Sequence, residues 1–343
     1  MIHIPLSPMN IAINGFGRIG RQALRIILDK HPDLNVVLIN DLTDPAVLAH
    51  LFQFDSSYGT FHGEVSSTAD SLTVEGKKIA ITAIKEPEKL PHAKFKVDVV
   101  LECTGRFTKR DDAAQHIKAG AKKVIISAPC KDKADATICL GVNEKTYDAK
   151  TMHIISNASC TTNCLAPMAK VMNDTFGIEY GLMTTIHSYT NDQNLLDLPH
   201  SDLRRARAAA VNMVPTSTGA AKAIGLVIPE LQGKLHGSAI RVPTPTGSLN
   251  DLTVITKKEV TVESINDAFK KAASSGSLKG YLRFEMRPIV LHDIVGDPAS
   301  CIFDSPLTQV IGKNLSKIFG WYDNEWGYSN RIVELAAYIG KNL

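Results

Sequence analysis

Residues 156–164, SNASCTTNC, hold the side chains best suited to covalent chemistry. The two thiols, Cys160 and Cys164, stand four positions apart, and small hydroxyl residues surround the first. A disulfide is disfavoured if the pair lies on one helix, and zinc is disfavoured because no second Cys-x2-Cys or His-x3-His pair completes the ligand set. No metal is therefore expected, and the open interpretations are a nucleophile or two buried thiols.

The position of the first thiol favours the nucleophile. The run 154–158 predicts a strand that leads into a helix beginning near Cys160, with Pro167 near the first turn. The dipole and the unpaired N–H groups of a helix N-terminus lower the pKa of a thiol and stabilise its thiolate. Cys164 lies one helical turn further on and is predicted to be an inert core thiol.

Histidine is the usual proton-transfer partner of such a thiolate. His187 is the best-placed candidate, since it lies in an alternating apolar run that opens onto a polar loop, residues 188–212. His31, His92 and His116 have charged or turn-like neighbours and are predicted to be solvated. From the residues alone, the alternative stays open that His187 is a hydrogen-bonded polar group without a catalytic role.

A glycine-rich turn near the start of the chain predicts a dinucleotide site. An apolar strand-like run precedes GFGRIG, residues 15–20, and a helical pattern, a second apolar run and Asp41 follow it. Dinucleotide-binding folds require this order of strand, glycine turn, helix, strand and acid, with the acid about 20 residues beyond the turn. The glycines let backbone N–H groups approach a pyrophosphate, and the helix N-terminus adds a positive dipole.

The elements around these motifs change in character along the chain. In the first half, uniformly apolar runs such as 97–101 and 124–126 alternate with helical patterns, one of them over 109–120, which predicts a parallel sheet covered on both faces. In the second half, the alternating runs 181–186 and 252–256 predict an antiparallel, half-covered sheet. An amphipathic helix near the C-terminus ends the pattern.

The predicted fold class is therefore α/β, with two domains. A Rossmann-type doubly wound parallel sheet is predicted over residues 1–159, where the glycine-rich turn would bind the cofactor. An α+β catalytic domain with a mainly antiparallel sheet spans residues 160–321. The boundary falls at the cysteine motif, and domain junctions are frequent ligand sites.

Composition excludes several classes of protein. A length of 343 residues suggests about two domains, and 44% apolar with 21% charged residues is typical of a soluble globular protein. The formal net charge of +3 supports neither a nucleic-acid partner nor a membrane surface. No apolar run approaches the roughly 18 residues of a membrane span, and the start of the chain lacks the pattern of a signal peptide. Six cysteines are too sparse for a disulfide scaffold, which favours a cytoplasmic location.

Ordered motifs along nearly the whole chain resemble phosphorylating glyceraldehyde-3-phosphate dehydrogenases. The motifs are NGFGRIGR (14–21), NDL (40–42), TGRFT (104–108), SNASCTTNCLAP (156–167), TIHSYT (185–190), TSTGAAK (216–222), RVPT (241–244) and WYDNE (321–325). The clear addition to the family pattern is residues 1–8.

The resemblance implies a thioester mechanism at Cys160, with His187 as the proton acceptor. D-Glyceraldehyde 3-phosphate would be oxidised with reduction of NAD, and inorganic phosphate would cleave the thioester to give 1,3-bisphosphoglycerate. Thr190 and Arg241 would hold the substrate phosphate. The residues implied for the attacking phosphate are Ser159, Thr161, Thr218 and Gly219, assisted by Arg205. Which of Arg204, Arg205 and Arg207 contacts phosphate stays open, and a surface or intersubunit ion pair is favoured for the other two.

The resemblance also implies a set of NAD-binding residues. They are Gly15, Gly17, Arg18, Ile19, Asp41, Lys85, Ser127 and Asn324. The carboxylate of Asp41 would accept hydrogen bonds from the adenine ribose and repel a 2′-phosphate, so NAD is preferred to NADP. Lys85 stands where many family members have arginine, which reduces stacking on the adenine but keeps the charge.

The same resemblance implies that the C-terminal helix, about residues 322–343, completes the first domain. It also implies a homotetramer in the cytoplasm, with no nucleic-acid or membrane partner. The enzymatic alternative is an erythrose-4-phosphate dehydrogenase, although Ser188-Tyr189-Thr190 keeps the triose pattern. The alternative from another class is a catalytically idle NAD-binding protein on the same fold, against which the intact Cys160 and His187 speak.

Overall fold

Residues 8–343 are described by the computed structural model, and they form two compact units. The first unit takes the residues before 138 together with 146–157 and 329–343, and the second takes 138–145 and 158–328. These bounds differ from those of the predicted domains, because residues 138–145 belong to the second unit and the first unit resumes at residue 329 rather than near residue 322. Residues 1–7 of the N-terminal extension lie outside the described part of the chain.

The first unit is built on one sheet. Its strands are β1 (Met9–Asn14), β2 (Leu34–Asn40), β3 (Val65–Thr68), β4 (Ser71–Val74), β5 (Lys77–Thr82), β6 (Val99–Glu102), β7 (Lys123–Ile126), β8 (Ala136–Thr137) and β9 (Ile154–Ser156). The order across the sheet is β3-β4-β5-β2-β1-β6-β7-β9-β8. Neighbours are parallel except β4, which is antiparallel to β3 and to β5. The predicted parallel sheet is confirmed, and an antiparallel hairpin extends one edge.

Helices pack on this sheet through apolar faces. They are α1 (Arg18–Lys30), α2 (Pro45–Gln53), α3 (Arg110–Ala113) and α4 (Gln115–Lys118). The helix α1 buries Ala23, Leu24 and Ile27, the residues whose helical spacing predicted it. The single helix predicted over 109–120 is wrong in detail, because the chain forms α3 and α4 as two short helices with a break at Ala114.

His92 and His116, both predicted to be solvated, are buried in the first unit with 1% and 0% of their surface exposed. That prediction was wrong because each ring has a buried partner. His92 Nε2 lies 2.9 Å from His116 Nδ1, and His116 Nε2 lies 3.0 Å from Glu102 Oε2. His31 stays partly exposed, near the carboxylate of Asp33.

The second unit is built on a mixed sheet. Its strands are β10 (Ile178–Ser188), β11 (Val214–Ser217), β12 (Leu235–Val242), β13 (Ser248–Thr256), β14 (Leu282–Glu285), β15 (Cys301–Asp304), β16 (Gln309–Ile311) and β17 (Leu315–Tyr322). The order is β11-β12-β10-β13-β17-β15-β14, and β16 pairs with β17. The pairs β10–β12 and β14–β15 are parallel and the others are antiparallel, so the predicted mainly antiparallel sheet is confirmed.

The longest helix of the second unit carries the cysteine motif. The helices are α5 (Cys160–Phe176), α6 (Ala220–Val227), α7 (Val262–Ser274) and α8 (Trp326–Gly340), the last of which continues into the first unit. As predicted, α5 begins at Cys160, and Cys164 is buried with 0% exposure in the core between helix and sheet. Pro167 lies inside α5 rather than near its first turn, so it provides no N–H to the Asn163 carbonyl.

Chain-wide features are simple. Within residues 8–343, no helix combines the length and the apolar character needed to cross a bilayer. In the same residues, no group of three or more His, Cys, Asp or Glu side chains is arranged to hold a metal ion. The six cysteines are all free thiols.

Candidate active site

The turn between β9 and α5 presents Cys160 at a helix N-terminus. Ser159 is the N-cap, and its Oγ accepts a hydrogen bond from the Thr162 N–H at 3.0 Å. Ala158 has a φ of 54°, a left-handed conformation that costs a residue with a Cβ about 1–2 kcal/mol. The Tyr328 hydroxyl donates to the Ala158 carbonyl at 3.0 Å. Buried contacts therefore hold a strained turn directly before the thiol.

The thiol of Cys160 faces the imidazole of His187. Cys160 Sγ lies 3.5 Å from His187 Nε2. His187 stands near the end of β10, where the strand opens onto the polar loop. Cys160 keeps part of its surface exposed, whereas His187 is 5% exposed. A partly open thiol beside a buried base is the arrangement that a nucleophilic cysteine needs.

Two partners approach the other ring nitrogen of His187. Nδ1 lies 2.7 Å from the Ser188 carbonyl oxygen and 2.7 Å from Arg241 Nη1. In the tautomer with a proton on Nδ1, the ring donates to the Ser188 carbonyl and Nε2 presents a lone pair to the thiol. In the other tautomer, Nδ1 accepts from Arg241 and the Nε2–H faces the sulfur. Both tautomers direct Nε2 at Cys160, so the two groups are placed to exchange a proton.

Burial dominates the protonation of this pair. It lowers the pKa of His187 to about 3, with the positive charge of Arg241 as the second cause. Burial also raises the pKa of the Cys160 thiol, while the Arg241 charge and hydrogen bonds from Thr161 act in the opposite direction. The lowered thiol pKa predicted from the helix N-terminus was wrong, because desolvation outweighs the helix end. The pair is therefore a neutral thiol beside a neutral imidazole.

Arg241 reaches the pair from β12, whose register sets it beside His187. Its Nη1 donates to the Ser188 carbonyl at 3.0 Å. Its Nε is buried and has no hydrogen-bond partner among the described residues. A half-buried guanidinium with an unpaired donor fits an anionic ligand such as a phosphate. Thr190, the other residue predicted for that phosphate, follows β10 in the polar loop and is half-buried.

The hydroxyls predicted to hold a second phosphate are partly used inside the fold. The Ser159 hydroxyl caps α5, and the Thr161 hydroxyl lies 2.9 Å from the buried Tyr322 hydroxyl. Thr218 and Gly219 precede α6, where the Thr218 hydroxyl accepts a backbone N–H of the first turn at 3.2 Å. Ser159 and Thr161 lie at the N-terminus of α5, and Thr218 and Gly219 lie at the N-terminus of α6. Backbone N–H groups at a helix N-terminus favour anions.

Among the three neighbouring arginines, Arg205 is the one held by the fold. Its Nη1 bonds the Asp192 carboxylate, so its charge is paired inside the polar loop. Arg204 is exposed, and Arg207 pairs with Asp197 at 3.0 Å on the surface. The surface ion pair favoured for Arg207 is therefore present, and Arg205 is the arginine whose charge acts on Arg241.

A pocket of about 430 Å³ opens at the glycine-rich turn of the first unit. Four of the predicted cofactor residues line it, namely Gly15, Gly17, Asp41 and Lys85. Asp41 is fixed there because its Oδ2 accepts the Phe16 N–H at 2.8 Å. A carboxylate has about four acceptor positions, so lone pairs remain for ribose hydroxyls.

The glycines of the turn fit a dinucleotide. A Cβ on Gly15 would lie 2.7 Å from the Thr104 backbone nitrogen, and one on Gly20 would lie 2.2 Å from the Gly15 oxygen. The fold itself therefore requires glycine at both positions. A Cβ on Gly17 would meet no protein atom within 4 Å, so packing does not require that glycine. Its bare backbone instead leaves room for a pyrophosphate at the N-terminus of α1.

Three other predicted cofactor residues do not line this pocket. Arg18 forms an ion pair with Asp55 at 2.6 Å, so its guanidinium is engaged within the unit. Ile19 is half-buried in the first turn of α1. Ser127 follows β7, and its N–H donates to the Glu102 carbonyl at 3.0 Å.

Asn324 has a fixed orientation in the second unit. Its Oδ1 accepts hydrogen bonds from Ser188 Oγ at 3.0 Å, from the Gly247 N–H at 2.9 Å and from Ser248 Oγ at 3.0 Å. Three donors on the oxygen define which amide atom is the nitrogen. The Nδ2 group is then available to donate to a carbonyl such as that of a carboxamide.

The sequence interpretation assigned no role to Tyr322, which supports the site from behind. Its hydroxyl lies 2.9 Å from Thr161 Oγ1 and 2.8 Å from Thr185 Oγ1, and its ring meets the His187 ring edge-on with centroids 6.0 Å apart. The tyrosine links α5 to β10 and so fixes the two elements that carry the thiol and the imidazole. Its place in the motif WYDNE was the signal available in the sequence.

Comparison with known proteins gives a consistent result over nearly the whole chain. The family model described as "Glyceraldehyde 3-phosphate dehydrogenase, NAD binding domain" matches residues 9–110, and the one described as "Glyceraldehyde 3-phosphate dehydrogenase, C-terminal domain" matches residues 159–324. The chain is 56% identical over 335 residues to the glyceraldehyde-3-phosphate dehydrogenase of Streptomyces coelicolor, covering 98% of this chain and 99% of that protein. It is 57% identical over 331 residues to that of Geobacillus stearothermophilus, covering 96% and 98%. It is 58% identical over 341 residues to that of Mycobacterium avium, covering 98% and 99%.

Proposed function

Because the chain belongs to the glyceraldehyde-3-phosphate dehydrogenase family, we propose that it oxidises and phosphorylates D-glyceraldehyde 3-phosphate to 1,3-bisphosphoglycerate, with NAD as the oxidant. The observation that carries the proposal is the 3.5 Å approach of Cys160 Sγ to His187 Nε2, with Arg241 beside the imidazole. In this assignment the first unit binds NAD and the second performs catalysis.

Cys160 and His187 divide the covalent chemistry between them. The Cys160 sulfur transfers its proton to His187 and attacks the aldehyde carbon, and His187 returns that proton to the carbonyl oxygen, which gives a hemithioacetal. NAD, when bound, supplies the oxidising power by accepting hydride from that carbon. His187 takes the hydroxyl proton, and the product is a thioester on Cys160. A phosphate oxygen then attacks the thioester carbon, and the Cys160 thiolate leaves, which conserves the oxidation energy in an acyl phosphate.

The substrate phosphate has a second role through Arg241. The charge of Arg241 contributes to lowering the pKa of His187, which makes the imidazole a weak base. A phosphate that pairs with the unpartnered Nε of Arg241 would offset that charge. Substrate binding would therefore raise the basicity of His187 at the moment when the proton must be taken.

The phosphate and cofactor assignments are supported by position. We assign Thr190 and Arg241 to the substrate phosphate, and the N-termini of α5 and α6, including Thr218 and Gly219, to the attacking phosphate. Asp41 would bind the adenine ribose, and the Asn324 Nδ2 would bind the nicotinamide carboxamide. Arg18 and Arg205 would act indirectly, since each is paired with a carboxylate.

One assay tests the reaction. NADH formation from D-glyceraldehyde 3-phosphate is expected to require both Cys160 and inorganic phosphate for continued turnover. Cys160→Ser is expected to abolish NADH formation while NAD still binds. Turnover that persists in Cys160→Ser, or that proceeds equally without inorganic phosphate, would contradict the proposal.

The same assay separates the alternatives. An erythrose-4-phosphate dehydrogenase would show the higher kcat/KM with erythrose 4-phosphate, whereas the proposed enzyme prefers the triose phosphate. An idle NAD-binding protein would bind NAD in a calorimeter and give no NADH with either sugar phosphate.

We further propose a homotetramer in the cytoplasm. The polar loop and the residue after it, which lead from β10 to β11, expose large apolar side chains that a partner subunit would cover: Leu195, Leu196, Leu198, Leu203, Val211 and Met213. Six free thiols are compatible with a reducing compartment. Light scattering after size-exclusion chromatography is expected to give the mass of a tetramer, and Leu203→Asp is expected to reduce it. A monomeric wild-type protein would contradict this arrangement.

A further inference from the structure

Glu102 is a buried carboxylate at the end of β6, beside the pocket of the first unit, and neither the proposed chemistry nor the assigned cofactor contacts use it. None of its side chain is exposed to solvent. It accepts hydrogen bonds from Asn14 Nδ2 at 2.5 Å, from His116 Nε2 at 3.0 Å and from the Thr104 N–H at 2.9 Å, and the Thr104 hydroxyl also bonds it. All of these neighbours are donors, so the ionised carboxylate satisfies each of them.

From Glu102 a directed chain of hydrogen bonds crosses the carboxyl ends of the parallel strands. Because a carboxylate only accepts, Asn14 must turn its NH2 group toward Glu102 and its oxygen toward Asn40. Asn40 Nδ2 donates to that oxygen at 2.7 Å. Asn40 Oδ1 then accepts from Thr82 Oγ1 at 2.8 Å and from the Ile84 N–H at 2.9 Å. Asn40 Nδ2 also donates to the Ile84 carbonyl at 2.9 Å, so the Ile84 backbone fixes the Asn40 amide, and Glu102 fixes the Asn14 amide from the other end.

The rings of His116 and His92 close the other end of the chain. His116 donates through Nε2 to Glu102, so its Nδ1 accepts from His92 Nε2, at 2.9 Å. His92 Nδ1 is buried without a partner, and a proton there would be a donor with no acceptor. Burial accordingly lowers the pKa of His92 to about 3. The hydrogen bonds therefore converge on Glu102 from both sides, from His92 through His116 and from Ile84 through Asn40 and Asn14.

The same chain reaches the wall of the pocket. Asn14, Asn40, Ile84 and Thr104 all line it, as Asp41 does. We propose that Glu102 is a positioning residue of the NAD site, whose negative charge orients the Asn14 amide and holds the Thr104 turn against the adenosine half of the cofactor. The inference rests on the proposed placement of NAD in this pocket.

Glu102→Gln keeps the shape of the side chain and removes the charge. The new NH2 group would face donors, so one of the hydrogen bonds to Asn14, His116 or Thr104 must break, and the Asn14 amide or the Thr104 turn is no longer held at the pocket wall. Calorimetric titration of the full-length variant is expected to show Kd values about tenfold higher for both NAD and AMP, the size expected for one lost hydrogen bond to a charged group. At saturating NAD, kcat is expected to stay within about twofold of wild type, because the lost interaction stabilises the bound ground state and the transition state equally.

Two further variants keep the test decisive. Thr104→Val leaves the carboxylate intact, removes one donor at the pocket wall and is expected to weaken both ligands by about threefold, which tests the same link if Glu102→Gln does not fold. Asp304→Asn is the matched control. Asp304 is a buried carboxylate of the second unit that accepts the Trp321 Nε1–H at 2.8 Å, and its loss is expected to lower stability without changing either Kd.

Asp41→Ala separates the two hypotheses in the same titration. If Asp41→Ala weakens NAD binding and the Glu102 and Thr104 variants do not, the pocket holds NAD but the positioning role of Glu102 is refuted. If none of the three changes weakens binding, NAD lies elsewhere, and the proposed placement of NAD in this pocket is refuted. A fall in kcat at unchanged Kd for Glu102→Gln would also overturn the inference.

Discussion

Arg241 and His187 are register partners on the parallel strands β12 and β10, and the Arg241 Nη1 lies 2.7 Å from His187 Nδ1. The guanidinium therefore acts on both members of the reacting pair. It lowers the pKa of His187, after burial, and it opposes the rise that burial causes in the pKa of Cys160. One residue thus connects phosphate binding to proton transfer.

Arg241→Gln should slow alkylation of Cys160. Loss of the charge raises the thiol pKa further, so at any pH below that pKa the thiolate fraction falls. The rate with iodoacetamide, a neutral reagent that does not need the arginine for binding, is expected to drop about tenfold at pH 7 and to recover as the pH rises. Arg207→Gln, which removes an exposed surface charge, is the control. An unchanged pH profile in Arg241→Gln would show that the guanidinium does not influence the thiol.

Cys160 should react with iodoacetamide much faster than Cys164. Cys160 is partly exposed, whereas Cys164 is fully buried and burial raises its pKa well above the ordinary value. The two rates are expected to differ by more than about a hundredfold, measured by mass spectrometry of the tryptic peptide that carries both residues. Comparable rates would mean that α5 opens in solution.

Asp41→Ala should relax the preference for NAD over NADP. The carboxylate lies in the pocket wall and would repel a 2′-phosphate, while the nearby Lys85 can attract one. The ratio of kcat/KM for NAD to that for NADP is expected to fall by about tenfold or more. A constant ratio would indicate that shape and not charge excludes NADP.

Tyr322→Phe should destabilise the second unit. The change leaves the Thr161 and Thr185 hydroxyls without the hydroxyl they share, at 2.9 and 2.8 Å, in a site with 1% exposure of the tyrosine. The loss is expected to be about 1–3 kcal/mol in the free energy of unfolding, seen as a lower urea midpoint. Tyr180→Phe removes an exposed hydroxyl, with 57% of that residue accessible, and should leave the midpoint unchanged.

Ala158→Gly should be nearly neutral, whereas Ala158→Val should be destabilising. At a φ of 54°, glycine carries no steric penalty but gains freedom in the unfolded chain, so the net change is expected within about 1 kcal/mol of zero. The branched valine is expected to cost about 2 kcal/mol or more and to slow Cys160 alkylation, because the turn that presents the thiol must deform. Thermal unfolding and the alkylation rate check both. A valine variant with wild-type values would show that the turn is not strained.

The sequence alone determined the features that depend on neighbouring residues. A Cβ on Gly20 of the GFGRIG turn would strike the Gly15 oxygen only five positions away, and the strand-like run 154–158 followed by a helical pattern predicted the helix that begins at Cys160. Alternation of apolar residues likewise predicted β10 and β13, because successive side chains of a strand point to opposite faces of the sheet. These are short-range rules, and the structure confirmed them.

The tertiary structure decided what depends on residues far apart in the chain. Arg241 meets His187 across 54 positions, and no local pattern encodes a strand register. His92 and His116 have polar neighbours in sequence, yet burial beside Glu102 makes them part of the first core. The thiol pKa was mispredicted for the same reason, since the helix end is local whereas desolvation is contributed by the whole surrounding fold.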